Sequence, residues 1–308
     1  MMYHVPVMLR ECIDGLNIRS NSIMVDATMG GAGHSEAILE AHPTVHLFAF
    51  DQDPDAIKYA TKRLERFGDR VTIIQSNFVN LRSELAYHEI NRVDGILFDL
   101  GVSSHQIDES SRGFSFSQDS PLDMRMDQAG DLTAKQILNE YDLNALTKVL
   151  RDYGEEKAAR KIAFLIVNQR KVKEFNTSTD LNDLITSNFK MNPKFLTKTL
   201  SRVYQALRIE VNGEMTVLAN VLKDALNILN PGGRLVIESY HSLEDKIVKD
   251  FMKFESLECT CPPSFPICNC GKKTTLKILT RKPIIADSDE LTANSRARSA
   301  KLRIVEKL

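Results

Sequence analysis

Apolar runs too short for helices alternate with helically periodic segments over the first hundred residues. Residues 23–27, 45–50, 71–75 and 93–100 read as strands, and 35–41, 55–67 and 81–90 as the helices between them. Strands spaced by helical crossovers predict right-handed βαβ units and a mostly parallel sheet. After Ser104 the pattern changes. Residues 105–131 are polar and read as a long ordered loop. From 133 to 210 only helical periodicity appears, at 143–153, 155–169, 181–187 and 198–210. A helix over 215–229 is then stopped by Asn230-Pro-Gly-Gly233, and strand signals return at 234–240, 275–280 and 300–306. The pattern predicts an α/β fold, a doubly wound mostly parallel sheet with an inserted all-helical domain. The expected division is 1–105 with 212–308 for the sheet domain and 106–211 for the insertion.

Composition refines this modestly. At 308 residues with 43% hydrophobic and 26% charged content, the chain can bury a sizeable core and is not of disordered type. It contains no run of eighteen apolar residues and no basic-then-apolar leader, so a cytoplasmic, non-membrane protein is expected. Net charge is −1, but residues 271–308 hold ten Lys/Arg against four Asp/Glu, and 151–210 hold twelve against seven. Two basic regions suit a polyanionic partner; solvated helix faces are the plainer alternative.

The candidate chemistry begins at Asp26-Ala-Thr-Met-Gly-Gly-Ala-Gly-His34, where the first strand turns into the first helix. Glycines there allow close backbone approach, and the helix start offers free N–H groups. The segment lacks the Lys-Ser/Thr of a P-loop and the last glycine of the dinucleotide fingerprint, so both phosphate-binding readings weaken. S-adenosylmethionine, which carries no phosphate, fits. Asp51 at the second strand tip is placed to accept both ribose hydroxyls; helix capping is its alternative role, and the one expected of Asp53. Phe78 follows the third strand, as an adenine cover or as core, and Asp99 ends the fourth.

From Asp99 onward the letters resemble a known family. Phe98-Asp-Leu-Gly-Val-Ser-Ser104, Arg112-Gly-Phe-Ser-Phe116, Pro121-Leu-Asp-Met-Arg-Met-Asp127, Tyr153-Gly-Glu-Glu156, Gln205-Ala-Leu-Arg208, His241-Ser-Leu-Glu-Asp245 and Arg296-Ala-Arg-Ser299 resemble the bacterial RsmH (MraW) family. Its members methylate the exocyclic amine of one cytidine in small-subunit (16S) ribosomal RNA. The matches run in order from the segment 4–8 to the last strand. The resemblance implies a class I methyltransferase (Rossmann-like) fold, with S-adenosyl-L-methionine contacted by Ala32, Gly33, His34, Asp51, Phe78, Asp99 and Gln106. Ala32 departs from the glycine more usual there. It also implies a ribosomal RNA partner, within an assembled small subunit, for a monomer or homodimer.

Methylating the amine requires a proton acceptor, because the nitrogen lone pair is delocalised into the ring. The Asp/Asn-Pro-Pro-aromatic motif of many amine methyltransferases is absent after the fourth strand. Asp99, Ser103, Asp123 and Asp127 are therefore the candidates. Tyr240 and His241 close the fifth strand and face the same cleft, for base stacking and pocket lining; Ser242 with Asp245 reads as a capping box. Arg112, Arg125, Arg296 and Arg298 are candidate phosphate contacts, with surface arginines as the alternative. Two further readings remain at this stage: a cofactor-liganded RNA-binding factor without turnover, and a small-molecule methyltransferase.

Cys259-Thr-Cys261 and Cys268-Asn-Cys270 lie six residues apart. Residues two apart share a face on extended backbone, so the pairs can present four thiolates to a structural zinc. The commoner zinc spacing is Cys-x2-Cys, and a metal-free proline-rich loop is the alternative.

Overall fold

The computed structural model describes residues 6–189, 192–262 and 267–308; His4 and Val5 of the first matching segment lie outside them. The strands are β1 (Ile23–Asp26), β2 (His46–Asp51), β3 (Val71–Gln75), β4 (Val93–Asp99), β5 (Leu229–Ser239), β6 (Leu276–Ile278) and β7 (Lys301–Lys307). They form one sheet in the order β3-β2-β1-β4-β5-β7-β6. β1 to β5 pair in parallel, and β7 runs antiparallel to both β5 and β6.

Two-residue alternation sorts the strand side chains between two cores. Val25, Phe48, Phe50, Ile96, Phe98 and Ile237 point to one face, packing with Leu218, Leu222 and Val248. Met24, Leu47, Ala49, Leu97, Val236 and Ile304 point to the other, with Leu16, Ile38 and Leu64. Burial on both faces explains why these strands read as nearly continuous apolar runs.

The chain divides into two compact units, Met1–Gly101 with Met215–Leu308, and Val102–Glu214. In the second unit the helices Ala134–Glu140, Leu143–Asp152, Ala159–Gln169, Ser178–Asn188 and Pro193–Asn212 surround a core of its own. Leu146, Val149 and Leu150 lie on one face of their helix, the 3.6-residue stripe that folding requires. Two of the recognised motifs hold this unit together. The Gln205 amide donates to the Tyr153 carbonyl at 2.9 Å. A Cβ at Gly154 would stand 2.7 Å from the carbonyl oxygens of both Leu150 and Arg202, so only glycine permits this approach.

Three local expectations change. β5 begins at Leu229, so Asn230-Pro-Gly-Gly233 belongs to the strand, beside a register shift between Val93 and Gly95 of β4. The polar loop contains a helix, Ser104–Asp108, and a 3-10 turn, Ser110–Arg112. The capping box of helix Ser242–Glu255 is formed by His241 and Glu244 rather than Ser242 and Asp245. Asp245 instead accepts from Arg303 Nε at 2.6 Å and Lys301 Nζ at 3.1 Å, tying that helix to β7.

Candidate functional site

The carboxyl ends of β1, β2, β4 and β5 gather four acids. Asp26 is fully buried, with one oxygen accepting from Thr28 N at 3.1 Å and the other from the Ser35 hydroxyl at 2.7 Å. Thr28 Oγ1 in turn accepts from Asp99 N at 2.7 Å, linking the β1 turn to the end of β4. Burial raises the Asp26 carboxyl above its usual range, against His34 and the hydrogen bonds, which lower it.

Asp51 fastens the glycine turn. Its Oδ2 accepts from Gly30 N and its Oδ1 from Asp53 N, both at 2.8 Å. A carboxylate oxygen has two acceptor positions, so each retains one, an acceptor pair suited to the two hydroxyls of a vicinal diol. Burial pushes the Asp51 carboxyl up to about 6. Asp53 caps the next helix, accepting from Asp55 N at 3.0 Å.

Gly30 and Ala32 take left-handed backbone at φ 48° and 60°. Ala32 thus meets the geometry that glycine serves more easily, and its conformation aims the start of helix Gly33–Ala41. That helix start presents N–H groups and a positive dipole end, suited to a carboxylate. His34 is buried, its Nε2 3.1 Å from the Val7 carbonyl and its Nδ1 3.5 Å from Asp99 Oδ2. Burial lowers its pKa and favours the neutral ring.

Asp99 Oδ1 accepts from the Tyr240 hydroxyl at 2.7 Å. Burial pushes the Asp99 carboxyl up to about 7, against the lowering effect of that hydroxyl. Beside it in register stands Glu238 of β5, fully buried, with its Oε1 lacking a hydrogen-bond partner. Glu238 Oε2 accepts from the Cys12 thiol at 3.8 Å, and burial followed by the Asp99 charge pushes its carboxyl up to about 10. Cys12, His34 and Glu238 stand close enough to share a cation. However, burial also raises the Cys12 thiol well above its usual range, so two of the three are held protonated and the trio is a poor metal site.

The other candidate residues fall into place less simply. Phe78 packs edge-on against Phe98, ring centres 5.7 Å apart, and stays partly buried. Ser103 and Gln106 close a helix cap on one another: Ser103 Oγ accepts from Gln106 N, and Ser103 N donates to Gln106 Oε1. His241 caps its own helix, Nδ1 accepting from Glu244 N at 3.3 Å. Arg112 is buried, donating to the carbonyls of Arg125 at 3.2 Å and Met126 at 3.1 Å. The Arg125 guanidinium is spent within its loop, on Asp123 at 2.8 and 2.7 Å and on the Gln128 and Gly130 carbonyls. Arg112 and Arg125 thus both brace the polar loop through their guanidinium groups. Asp127 accepts from Ala129 N, whereas Arg298 is exposed and Arg296 half-buried.

Sequence reasoning overlooked Glu238, Cys12 and Ser35. An acid inside the apolar run Leu-Val-Ile-Glu-Ser was the available signal for Glu238. The hydrogen bonds described for the four acids come from backbone N–H, hydroxyl and thiol groups. Such a set suits a ligand carrying positive charge and hydroxyls better than a phosphate.

A parallel sheet ending in an antiparallel hairpin-like β7, with acids at its strand ends beside a glycine turn, is the class I methyltransferase fold, a Rossmann-like α/β architecture. The chain belongs to the MraW methylase family, which it matches over residues 1–308. It is 48% identical over 309 residues to the ribosomal RNA small subunit methyltransferase H of Finegoldia magna, covering 99% of this chain and 98% of that protein. It is 46% identical to the protein of the same name from Clostridioides difficile, with 99% of each covered. The Brevibacillus brevis protein of that name is 47% identical over 311 residues, 99% of this chain and 98% of the relative.

Proposed function

We propose that the chain transfers a methyl group from S-adenosyl-L-methionine to the exocyclic N4 of a cytidine in small-subunit ribosomal RNA, within an assembled subunit. The observation that carries the cofactor part is Asp51, whose two oxygens each keep an acceptor position beyond the bonds from Gly30 and Asp53. In this reading Asp51 holds both ribose hydroxyls. The N–H groups at Gly33 and His34 hold the amino-acid carboxylate, and Asp26 and Asp99 favour the cationic end. Phe78 forms part of the adenine wall. The bound cofactor supplies an electrophilic methyl on a sulfonium.

The protein's part is to position the amine and take its proton. Asp99 is assigned the proton: its carboxyl sits at about 7, where an acceptor both ionises and gains a proton readily. Tyr240 positions Asp99 through its hydroxyl. Ser103 and Asp123 are assigned structural work, since a helix cap and an arginine already engage them.

Support for an RNA partner comes from the second unit. Lys157, Arg160, Lys171, Lys194 and Lys198 are exposed there, together with Phe164 at 55% and Phe195 at 62% exposure. Cations interleaved with exposed aromatics suit single-stranded RNA, phosphates on the one and bases on the other. Arg296 and Arg298 are assigned a lesser contribution. Among the described residues no helix is long and apolar enough to cross a membrane, consistent with work on ribosomal RNA in the cytoplasm.

The test is incubation with methyl-labelled cofactor and small ribosomal subunits lacking the modification, followed by mapping of the label. Label on one cytidine N4 is expected. Cofactor binding without label in RNA would leave a binding factor without turnover, and preference for free nucleosides would indicate a small-molecule enzyme.

A further inference from the structure

The segment between helix Ser242–Glu255 and β6 takes no part in the chemistry above. Residues 256–274 form a long connection without helix or strand among its described residues. Loops of this length in compact domains require an ordering device of their own. Apolar burial does not provide it: Cys259, Cys268 and Cys270 are exposed, and Ile267 is 73% exposed. The base of the loop is clamped, with Thr275 N donating to Glu255 O at 3.0 Å and Lys272 Nζ to Glu255 Oε2 at 2.8 Å. Beyond that clamp, the four cysteines converge.

Their sulfur atoms lie close together throughout. Cys259 Sγ is 3.3 Å from Cys268 Sγ and 3.7 Å from Cys270 Sγ, while Cys268 Sγ is 3.5 Å from Cys270 Sγ and 3.9 Å from Cys261 Sγ. All four sit within 4.8 Å of one another. Four thiolates at about 2.3 Å from a tetrahedral zinc stand about 3.8 Å apart, so the set has the dimensions of a four-cysteine zinc site. Two backbone amides reinforce it: Cys261 N donates to Cys259 Sγ and Thr260 N to Cys270 Sγ, both at 3.3 Å. Donors aimed at sulfur orient a thiolate and offset its charge, as the groups around metal ligands do.

We propose that Cys259, Cys261, Cys268 and Cys270 bind one structural zinc ion that closes the 256–274 loop between helix Ser242–Glu255 and β6. The Cys-x-Cys spacing is accommodated because the two pairs, six residues apart, bring their four sulfur atoms within 4.8 Å of one another. Binding displaces the thiol protons and leaves Zn2+ with four thiolates, without any change of oxidation state. The ion supplies the order that a core provides elsewhere in the chain. The inference is independent of the methyl-transfer reading.

The experiment is elemental analysis of purified full-length protein, with thiol titration before and after chelation. One zinc per chain is expected, with four thiols becoming reactive only once it is removed. C268S and C259S should lower the zinc content at least tenfold, while C12A should keep it. Should the serine variants fail to fold, adding Co2+ to chelated wild-type protein gives a second reading: the thiolate-to-metal absorption and d–d pattern of a tetrahedral ion with four sulfur ligands, lost on adding Zn2+. Limited proteolysis should cut within 256–274 several-fold faster after chelation. Three results overturn the proposal: protein without zinc that also takes up no Co2+, zinc lost in C12A but kept in C268S, or two disulfides within the segment by mass spectrometry.

Discussion

Replacing Asp51 by alanine tests the cofactor site at its best-defined point. The carboxylate closes the glycine turn through Gly30 N and Asp53 N at 2.8 Å, and in the proposed function it also accepts both ribose hydroxyls. Hydrogen bonds to a charged acceptor contribute about 1.5–3 kcal/mol each net. Losing even one of the two raises the dissociation constant about ten- to 150-fold, which is the least effect expected of Asp51→Ala. Gly30 and Asp51 are partly exposed, so water can reach the freed Gly30 amide, and the fold is expected to survive. Titration calorimetry at pH 7.5 measures the affinity, and a denaturant melt checks the fold. The pH dependence sharpens the test. Burial places the free carboxyl at about 6, and binding needs it ionised, so wild-type affinity falls as pH drops through that value. At pH 5 only about a tenth of the carboxyl remains ionised, so affinity is about tenfold below its plateau. The alanine variant lacks this group, so the gap between the two proteins should close as pH falls from 7.5 to 5. Any slope that both share belongs to Asp99, at about 7. Asp51→Asn should fare no better than alanine, since its NH2 would face one of the two backbone N–H donors. Wild-type affinity within twofold for Asp51→Ala, or a gap constant across this pH range, refutes the assignment.

Three further outcomes follow from the same geometry. Tyr240→Phe removes the hydroxyl that holds the Asp99 carboxyl down; the Asp99-controlled rise of kcat/KM with pH should move upward by about one unit, and an unmoved profile removes Asp99 as proton acceptor. Gly154→Ala forces a Cβ to within 2.7 Å of two backbone carbonyls, so chemical denaturation should register a loss of about 1–3 kcal/mol with cofactor affinity intact; unchanged stability would contradict the packing described. Arg112→Ala strips donors from the Arg125 and Met126 carbonyls and should cost about 1–3 kcal/mol in stability, leaving the salt dependence of RNA binding unchanged. A stable Arg112→Ala protein whose salt slope falls by about one would instead assign Arg112 to a phosphate contact.

Which features could be read from the letters follows from where each is determined. β1, β2 and β4 were expected to within a residue, because a strand buried on both faces must be apolar throughout; β3, half-buried at the sheet edge, was expected at its observed bounds from its short apolar run. Helix Leu9–Leu16 was overlooked: it has no polar cap, and Met8 before it adopts left-handed backbone that no letter announces. Helix Pro193–Asn212 begins five residues earlier than periodicity indicated, although Asn192 and Pro193 supplied a cap and first-turn signal. Asp51 was legible because a strand end places an acid by geometry alone. Glu238 was not, since only the register against Asp99 shows that two acids stand side by side. Arginine roles were least legible. Arg112 and an exposed loop arginine have the same one-letter context, and burial against two carbonyls is decided by contacts distant along the chain.

The acids also explain why a phosphate-binding loop does not occur here. A phosphate needs converging N–H donors and a cation, whereas this turn commits the Gly30 amide to Asp51 and sets Asp26 and Asp99 beside it. Burial makes each of these carboxyls reluctant to ionise alone, which is a cost that an arriving cation removes. A site of this kind holds a sulfonium and ammonium more tightly than a neutral analogue, and it discriminates more strongly as pH rises through 6 and 7. The same property serves turnover. In the proposed reaction Asp99, poised at about 7, would offset the positive charge that develops on the substrate nitrogen and then take its proton. Glu238, its neighbour in register, is pushed up to about 10 by burial and then by the Asp99 charge, so it stays protonated and adds no second negative charge beside Asp99.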